Sequence, residues 1–354
     1  MTEGTRKARI GVIGAGFWCT ANHLPILLRR DDVELSAVAR LGRSELEQLR
    51  DNFGFAYITE DYRALLNDVP LDGVIVASPH HLHAEHACAA LAKNLPVLVE
   101  KPMATSMVDA LSIYQAAEAV GQPILVPYGW NFQPYFGKAK EWIAAGRIGT
   151  LRHISAQMAT PIEDLMSGGS LAEATGELFQ PDAATWAQVE TGGYGWGQLV
   201  HLLGGLAYLT DFEPETVYAR LGLSRIGTDL FNALTLTLRG GATAAISGSA
   251  SLPVGSPFQI DIRLFGTEGV LLLDTERERL VLRRVDGDVE EYPIPAGAGA
   301  YSCVTPVERF VDICLGKPVE NAGHAMTGLR TVQIVEAMHR SHKSGQPVTI
   351  EHRP

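Results

Sequence analysis

The sequence predicts an α/β protein of two domains, a parallel doubly wound sheet first and a large, mostly antiparallel open sheet second. Three observations predict it. The chain has 354 residues, more than one ordinary hydrophobic core accommodates. Up to Val126, apolar strand-like runs alternate with segments of helical spacing, the order of βαβ units. From Leu234 to Val285, strand-like runs follow one another across glycine and proline turns with no helix between them, the order of hairpins.

The first strand is Arg9 to Gly14, apolar from Ile10 onward. Gly14-Ala15-Gly16 follows as a tight turn, and Phe17 to Arg30 has helical spacing with Leu24, Leu27 and Leu28 on one side. Strand, glycine turn and helix form the context of a phosphate cradle. Gly14 permits the turn and Gly16 lets backbone approach a pyrophosphate. The helix start at Phe17 and Trp18 offers N–H groups and a partial positive charge. Cys19 stands where a third glycine is usual.

Glu34 to Ala39 is the second strand. An acid normally follows it and binds a ribose 2′-hydroxyl. Here Arg40 follows, then Arg43 and Ser44. These residues can hold a 2′-phosphate through charge-assisted hydrogen bonds, so NADP is expected in preference to NAD. The plain alternative is a loop solvated by its arginines. Leu46 to Phe53 reads as a helix. Leu71 to Ala77 is the next strand, ending in Ser78-Pro79-His80-His81-Leu82-His83 before a helix from about Ala84 to Lys93. His80, His81, His83 and His86 are too crowded for a tidy ligand set, and no metal is expected.

Leu95 to Met103 is a short apolar strand that stops on Glu100, Lys101 and Pro102. Pro102 cannot extend a ladder and biases Lys101 away from helix. Lys101 is thus expected at a strand end, where open α/β sheets bind ligands. A shielded lysine has a lowered pKa and can carry a proton. The plain alternative is a surface ion pair with Glu100.

Composition narrows the function. Net charge is −11, which argues against general nucleic-acid binding and suggests no anionic membrane partner. Cys19, Cys88, Cys303 and Cys314 form no C-x-x-C pair, as in a reduced, cytoplasmic protein. No apolar run is long enough to span a bilayer, and the short polar start has no signal-peptide character.

Gln122 to Pro127 reads as the last strand of the first sheet, giving an expected division into residues 1–127 and 128–354. Tyr128 begins the crossing. Phe136 to Ala145 reads as a helix and Leu151 to Met158 as a strand. Pro161 to Val189 is irregular, the character of a lid, a binding loop or an oligomer contact. Gly192 to His201 is the second chemical stretch. Its glycines let backbone approach a ligand, and Tyr194 and Trp196 can stack on a sugar face. Gln198 and His201 fall near one another at the start of an apolar helix through Leu209, where His201 is either a proton carrier or a packed histidine. Pro306 to Leu315 and Gly328 to Ser344 read as helices packing back on the body.

Taken together, these stretches resemble the Gfo/Idh/MocA family of oxidoreductases. The resemblance rests on the Gly14-Ala15-Gly16 turn, Ser78-Pro79 with His83, Glu100-Lys101-Pro102, and Gly129 to Pro134 followed by Gly146-Arg147-Ile148-Gly149. Phe265 to Gly269 and the Gly328-Leu329-Arg330 helix add to it. It implies a Rossmann domain followed by a substrate-binding and oligomerisation domain. It also implies hydride exchange between NADP or NAD and a secondary alcohol or ketone of a sugar, glycoside or cyclitol. Ser78, Pro79, His83 and Glu100 join the expected cofactor contacts, with Lys101 beside the reacting oxygen and His201 as acid/base. Tyr128, Asn131, Tyr194, Trp196 and Gln198 are the expected substrate contacts, and a homodimer or homotetramer is expected through the sheet. Gly197 departs from the family, which commonly has Asp there. Two other functions fit the same residues. One is a redox-assisted glycosidase or epimerase with tightly held cofactor. The other is a non-catalytic NADP-binding sensor.

Overall fold

The computed structural model describes residues 6–171, 174, 176–181 and 183–351. The chain forms two compact units. The first comprises Met1–Tyr128, Glu173–Asp182 and Cys303–Leu329. The second comprises Gly129–Ala172, Ala183–Ser302 and Arg330–Pro354. The expected division at 127/128 left out the two later stretches that return to the first unit.

The first unit is built on a six-stranded sheet. Its strands are β1 (Ala8–Ile13), β2 (Val33–Ala39), β3 (Tyr57–Thr59), β4 (Gly73–Val76), β5 (Val97–Val99) and β6 (Ile124–Leu125). Their spatial order is β3-β2-β1-β4-β5-β6 and every pairing is parallel. The order reverses at β1, so a crevice opens beyond the carboxyl ends of β1 and β4. β4 and β5 are buried at every residue, as strands covered on both faces must be. The connecting helices are α1 (Leu24–Leu28), α2 (Arg43–Phe53), α3 (Tyr62–Asp68), α4 (His83–Leu91) and α5 (Met107–Val120). A π-helical turn, Cys19–His23, leads into α1. Local chemistry sets several ends. Asp61 caps α3 by accepting from the Arg63 N–H, and Ser106 caps α5 by accepting from the Asp109 N–H.

The second unit begins with α6 (Pro134–Ala144), β7 (Leu151–Ala159), α7 (Glu163–Met166) and α8 (Ala183–Trp186). A π turn at Gly195–Leu199 then runs into α9 (Val200–Thr210). The strands that follow are β8 (Pro214–Leu223), β9 (Asp229–Leu238), β10 (Thr243–Ser249), β11 (Gln259–Gly266), β12 (Gly269–Asp274), β13 (Arg279–Arg284) and β14 (Val289–Pro293). α10 (Val304–Cys314), α11 (Ala325–Ser344) and β15 (Val348–Thr349) close the chain. The nine-stranded sheet has the order β14-β13-β12-β11-β7-β10-β9-β8-β15. Among the described residues of this sheet, only β7 and β10 pair in parallel. β9 and β10 alternate buried and exposed residues, so one face of the sheet is core and the other is open. No helix among the described residues is long and apolar enough to cross a membrane.

Candidate active site

Three strand ends of the first unit supply its chemistry. Gly14 follows β1, Ser78 follows β4, and Lys101 follows β5. Gly14 has φ 85°, and a Cβ there would lie 2.3 Å from the Ser78 Cα. Only glycine allows these two loops to touch. Gly16 differs. A Cβ there would meet nothing nearer than the Gly14 carbonyl at 4.0 Å, so its backbone borders open space beside a helix start. That is the form of a phosphate cradle.

Arg40, at the end of β2, ties into the same turn. Its Nη1 donates to the Ala15 carbonyl at 3.0 Å, and its guanidinium lies 4.3 Å from the Phe179 ring centre. Burial lowers its pKa against a smaller pull from Glu45, and among the described residues no carboxylate forms an ion pair with it. Arg43 does not join it. Arg43 is exposed and bridges Glu47 one helical turn on, while Ser44 is exposed in α2. The reason is geometric: a helix begins at Arg43 and directs both side chains along its own surface.

Lys101 is 8% exposed. Burial brings its amine down to about 8, against a smaller opposing pull from Glu100. Glu100 is neither a surface partner of Lys101 nor turned to a cofactor. Its Oε1 lies 2.6 Å from His23 Nε2, and its Oε2 accepts the Lys101 backbone N–H at 3.0 Å. His83 is likewise withdrawn. It is fully buried, with ring nitrogens 2.8 Å from the Pro102 and Ser78 carbonyls. It staples the β4 and β5 ends together instead of facing a ligand. Burial lowers its pKa. His86 reaches Ser78 Oγ at 2.9 Å, and burial brings it down to about 4. Among the described residues, no group of three or more His, Cys, Asp or Glu is gathered to hold a metal.

In the second unit, His201 lies in α9, just beyond the π turn, and is 4% exposed. Trp130 and Tyr301 meet it edge-on, with ring centres 5.5 and 5.0 Å away. Trp130 is itself fixed by donating Nε1–H to the Gly299 carbonyl at 3.0 Å. Asn131 donates to the Gly204 carbonyl in α9 at 3.2 Å. The turn at Gly129–Phe132 therefore braces the helix that carries His201. Tyr301 was not among the expected residues, because nothing in a loop rich in small residues marks one tyrosine.

Tyr194 and Trp196 are not stacking platforms. Tyr194 is completely buried and donates its hydroxyl to the Met158 carbonyl at 3.1 Å. Trp196 is 1% exposed, donates to the Glu190 carbonyl and stacks on His339. The glycines beside them admit neighbouring side chains and backbone instead of a ligand. A Cβ on Gly197 would lie 2.6 Å from Met166 Cε and 2.9 Å from Trp186 Cζ3, so those two side chains fill the space. Gln198 is 9% exposed, and its Oε1 has no hydrogen-bond partner in the described structure. Tyr128, in the first unit, is also buried. Sequence reasoning missed Asp229. Its Oδ2 accepts the Gly195 N–H at 2.7 Å and Asn232 Nδ2 at 2.6 Å, anchoring the π turn.

A parallel sheet that reverses at β1, a glycine turn open beside a helix start and a buried lysine at the next ligand-facing strand end define a dinucleotide-binding oxidoreductase. Residues 8–128 match the model of the Gfo/Idh/MocA oxidoreductase family with its NAD-binding Rossmann fold, and residues 136–272 match the family's C-terminal domain. The chain belongs to the Gfo/Idh/MocA family and binds NAD(P) through its Rossmann domain. Inositol 2-dehydrogenase of Acidothermus cellulolyticus is 27% identical over 296 residues, 82% of this chain and 78% of that one. The scyllo-inositol 2-dehydrogenase (NADP(+)) IolU of Bacillus subtilis is 25% identical over 334 residues, 93% of this chain and 95% of that one. A levoglucosan dehydrogenase in complex with NADH shares the fold, with TM-score 0.79 over 98% of this chain and 100% of that one at 19% identity.

Proposed function

We propose that the protein moves hydride between NADP and a secondary alcohol or ketone of a sugar, glycoside or cyclitol, with Lys101 carrying the proton. The carrying observation is Lys101 itself. It is a buried amine at the end of β5, brought near neutrality by burial and fixed through its backbone by Glu100. The relatives named above as inositol dehydrogenases support the substrate class.

When bound, the nicotinamide accepts or supplies the hydride. Neutral Lys101 takes the hydroxyl proton in oxidation, and charged Lys101 returns it in reduction. His201 is the proton-bearing group of the second unit, and its aromatic brace holds the ring in one orientation. Gly16 and the helix start at Phe17 and Trp18 would hold the pyrophosphate, with Ser78 and Pro79 beside it. Arg40 would meet a 2′-phosphate. Its half-buried guanidinium has no carboxylate partner among the described residues, which suits an anion from outside the chain. We also assign the open sheet face to self-association as a homodimer or homotetramer, since Phe231 on it is 41% exposed.

The test is Lys101→Met, assayed with keto-sugars and NADPH and with inositols and NADP. Turnover should fall at least about a thousandfold while NADPH affinity changes little. Retained turnover would remove Lys101 from the chemistry. Cofactor that copurifies, with product formed but no net change in nicotinamide absorbance, would replace the dehydrogenase by an epimerase or glycosidase.

A further inference from the structure

We propose that His23 is a positioning residue for Lys101: held on Glu100, its imidazole offsets part of the carboxylate's charge and so sets how tightly Lys101 holds a proton. The inference rests on the reading of Lys101 as the proton carrier. The geometry is a short buried chain. His23 closes the π turn before α1 and is 0% exposed, Glu100 is 7% exposed and Lys101 8%. His23 Nε2 lies 2.6 Å from Glu100 Oε1, and Glu100 Oε2 accepts the Lys101 N–H at 3.0 Å.

A carboxylate beside a buried amine favours the charged amine. Glu100 pulls the Lys101 amine upward, against the burial that brings it down. Its pairing with His23 limits that pull. Burial lowers the proton affinity of His23, but Cys303 and Glu100 outweigh it and raise the imidazole to about 10. The same bond holds Glu100 below its usual range despite burial. Wherever the proton sits along the 2.6 Å contact, the pair is neutral overall. Desolvation outweighs the pull of Glu100 that remains on Lys101. The other titratable groups near the pair are His83 from α4, Cys19 from the π turn and Cys303 ahead of α10. Burial keeps the Cys19 thiol protonated, and burial disfavours charge on His83.

The experiment follows the Cε resonance of Lys101 in full-length protein carrying 13C-lysine, assigned by its loss in Lys101→Met. In wild type its midpoint should lie near 8, below the ordinary 10.5. His23→Gln leaves Glu100 charged and uncompensated, and the midpoint should rise by about one pH unit. Glu100→Gln removes the carboxylate, and the midpoint should fall. Opposite shifts establish the inference, since mere loosening of the fold would move both variants toward 10.5. Midpoints that stay together overturn it, as does a wild-type midpoint at or above 10.5, which needs neither variant to fold. The pH–rate profile is read separately. A resonance that shifts while the profile stays put keeps the role of His23 and removes Lys101 from the chemistry.

Discussion

Met166 places its terminal methyl where a side chain on Gly197 would begin, 2.6 Å from that position. Trp186 closes the same space from 2.9 Å. Where the resemblance leads one to expect Asp, Gly197 of this chain is packed against apolar side chains of the Pro161 to Val189 stretch. Returning the acid does not return the chemistry. Gly197→Asp must displace Met166 and bury a charge among apolar groups, a cost of about 2–4 kcal/mol. A lower thermal midpoint with no gain in turnover is the expected outcome. A variant as stable as wild type and more active would show that the space is open to an acid.

Arg40 supplies the cofactor prediction. Its Nη1 anchors it on the Ala15 carbonyl, close to the glycine turn. Arg40→Asp replaces a cation by the acid that ordinarily meets a ribose 2′-hydroxyl. Fluorescence titration should show NADPH binding weakened at least about tenfold and NADH binding equal or improved. Tighter NADH than NADPH binding in the wild type would discard the 2′-phosphate contact at once.

The sequence announced much of this because its signals are local. Period-two alternation marked Leu234–Arg239 and Ala242–Ser249, which take in the second half of β9 and all of β10. β8 was missed, since its alternation blurs after Arg220 into half-exposed residues. The glycine turn and the Glu100-Lys101-Pro102 strand end also depend only on neighbours in the chain. The errors at Glu100, His83, Tyr194 and Trp196 concern long-range packing. Nothing local says that Glu100 finds a histidine 77 residues away, or that His83 is caught between two carbonyls. Tyr194 and Trp196 sit among glycines in both a sugar site and a packed core, and only the tertiary neighbours decide. His23 did leave a trace. It lies four residues before Leu27 on the apolar side of its helix, an odd place for an imidazole without a buried acid.

Asp229 tests the anchoring of the His201 helix. It is 1% exposed and accepts from Gly195 and Asn232. Asp229→Ala leaves two buried donors without an acceptor, and urea unfolding should show a loss of about 2–4 kcal/mol. Asp229→Asn keeps an oxygen for one of them and should lose less. Equal losses in the two variants would mean that volume, not hydrogen bonding, holds the π turn.

The last prediction concerns what Lys101 does to stability. Its folded-state pKa is depressed to about 8 from 10.5 by burial. Between these values the unfolded chain holds the proton and the folded chain does not, so stability rises with pH across that window. Below 8 both states are protonated, and the folded state bears a buried cation whose desolvation outweighs the pull of Glu100. Lys101→Met removes the cation and keeps the apolar stem. The variant should therefore be more stable than wild type at neutral pH, by about 1–3 kcal/mol, with the gain shrinking as pH approaches 10. Chemical denaturation at pH 7 and pH 9.5 measures both numbers. A variant less stable at pH 7 would mean that the ammonium is well solvated or well paired in the folded state, and the amine would then lack the depressed proton affinity that its proposed role requires.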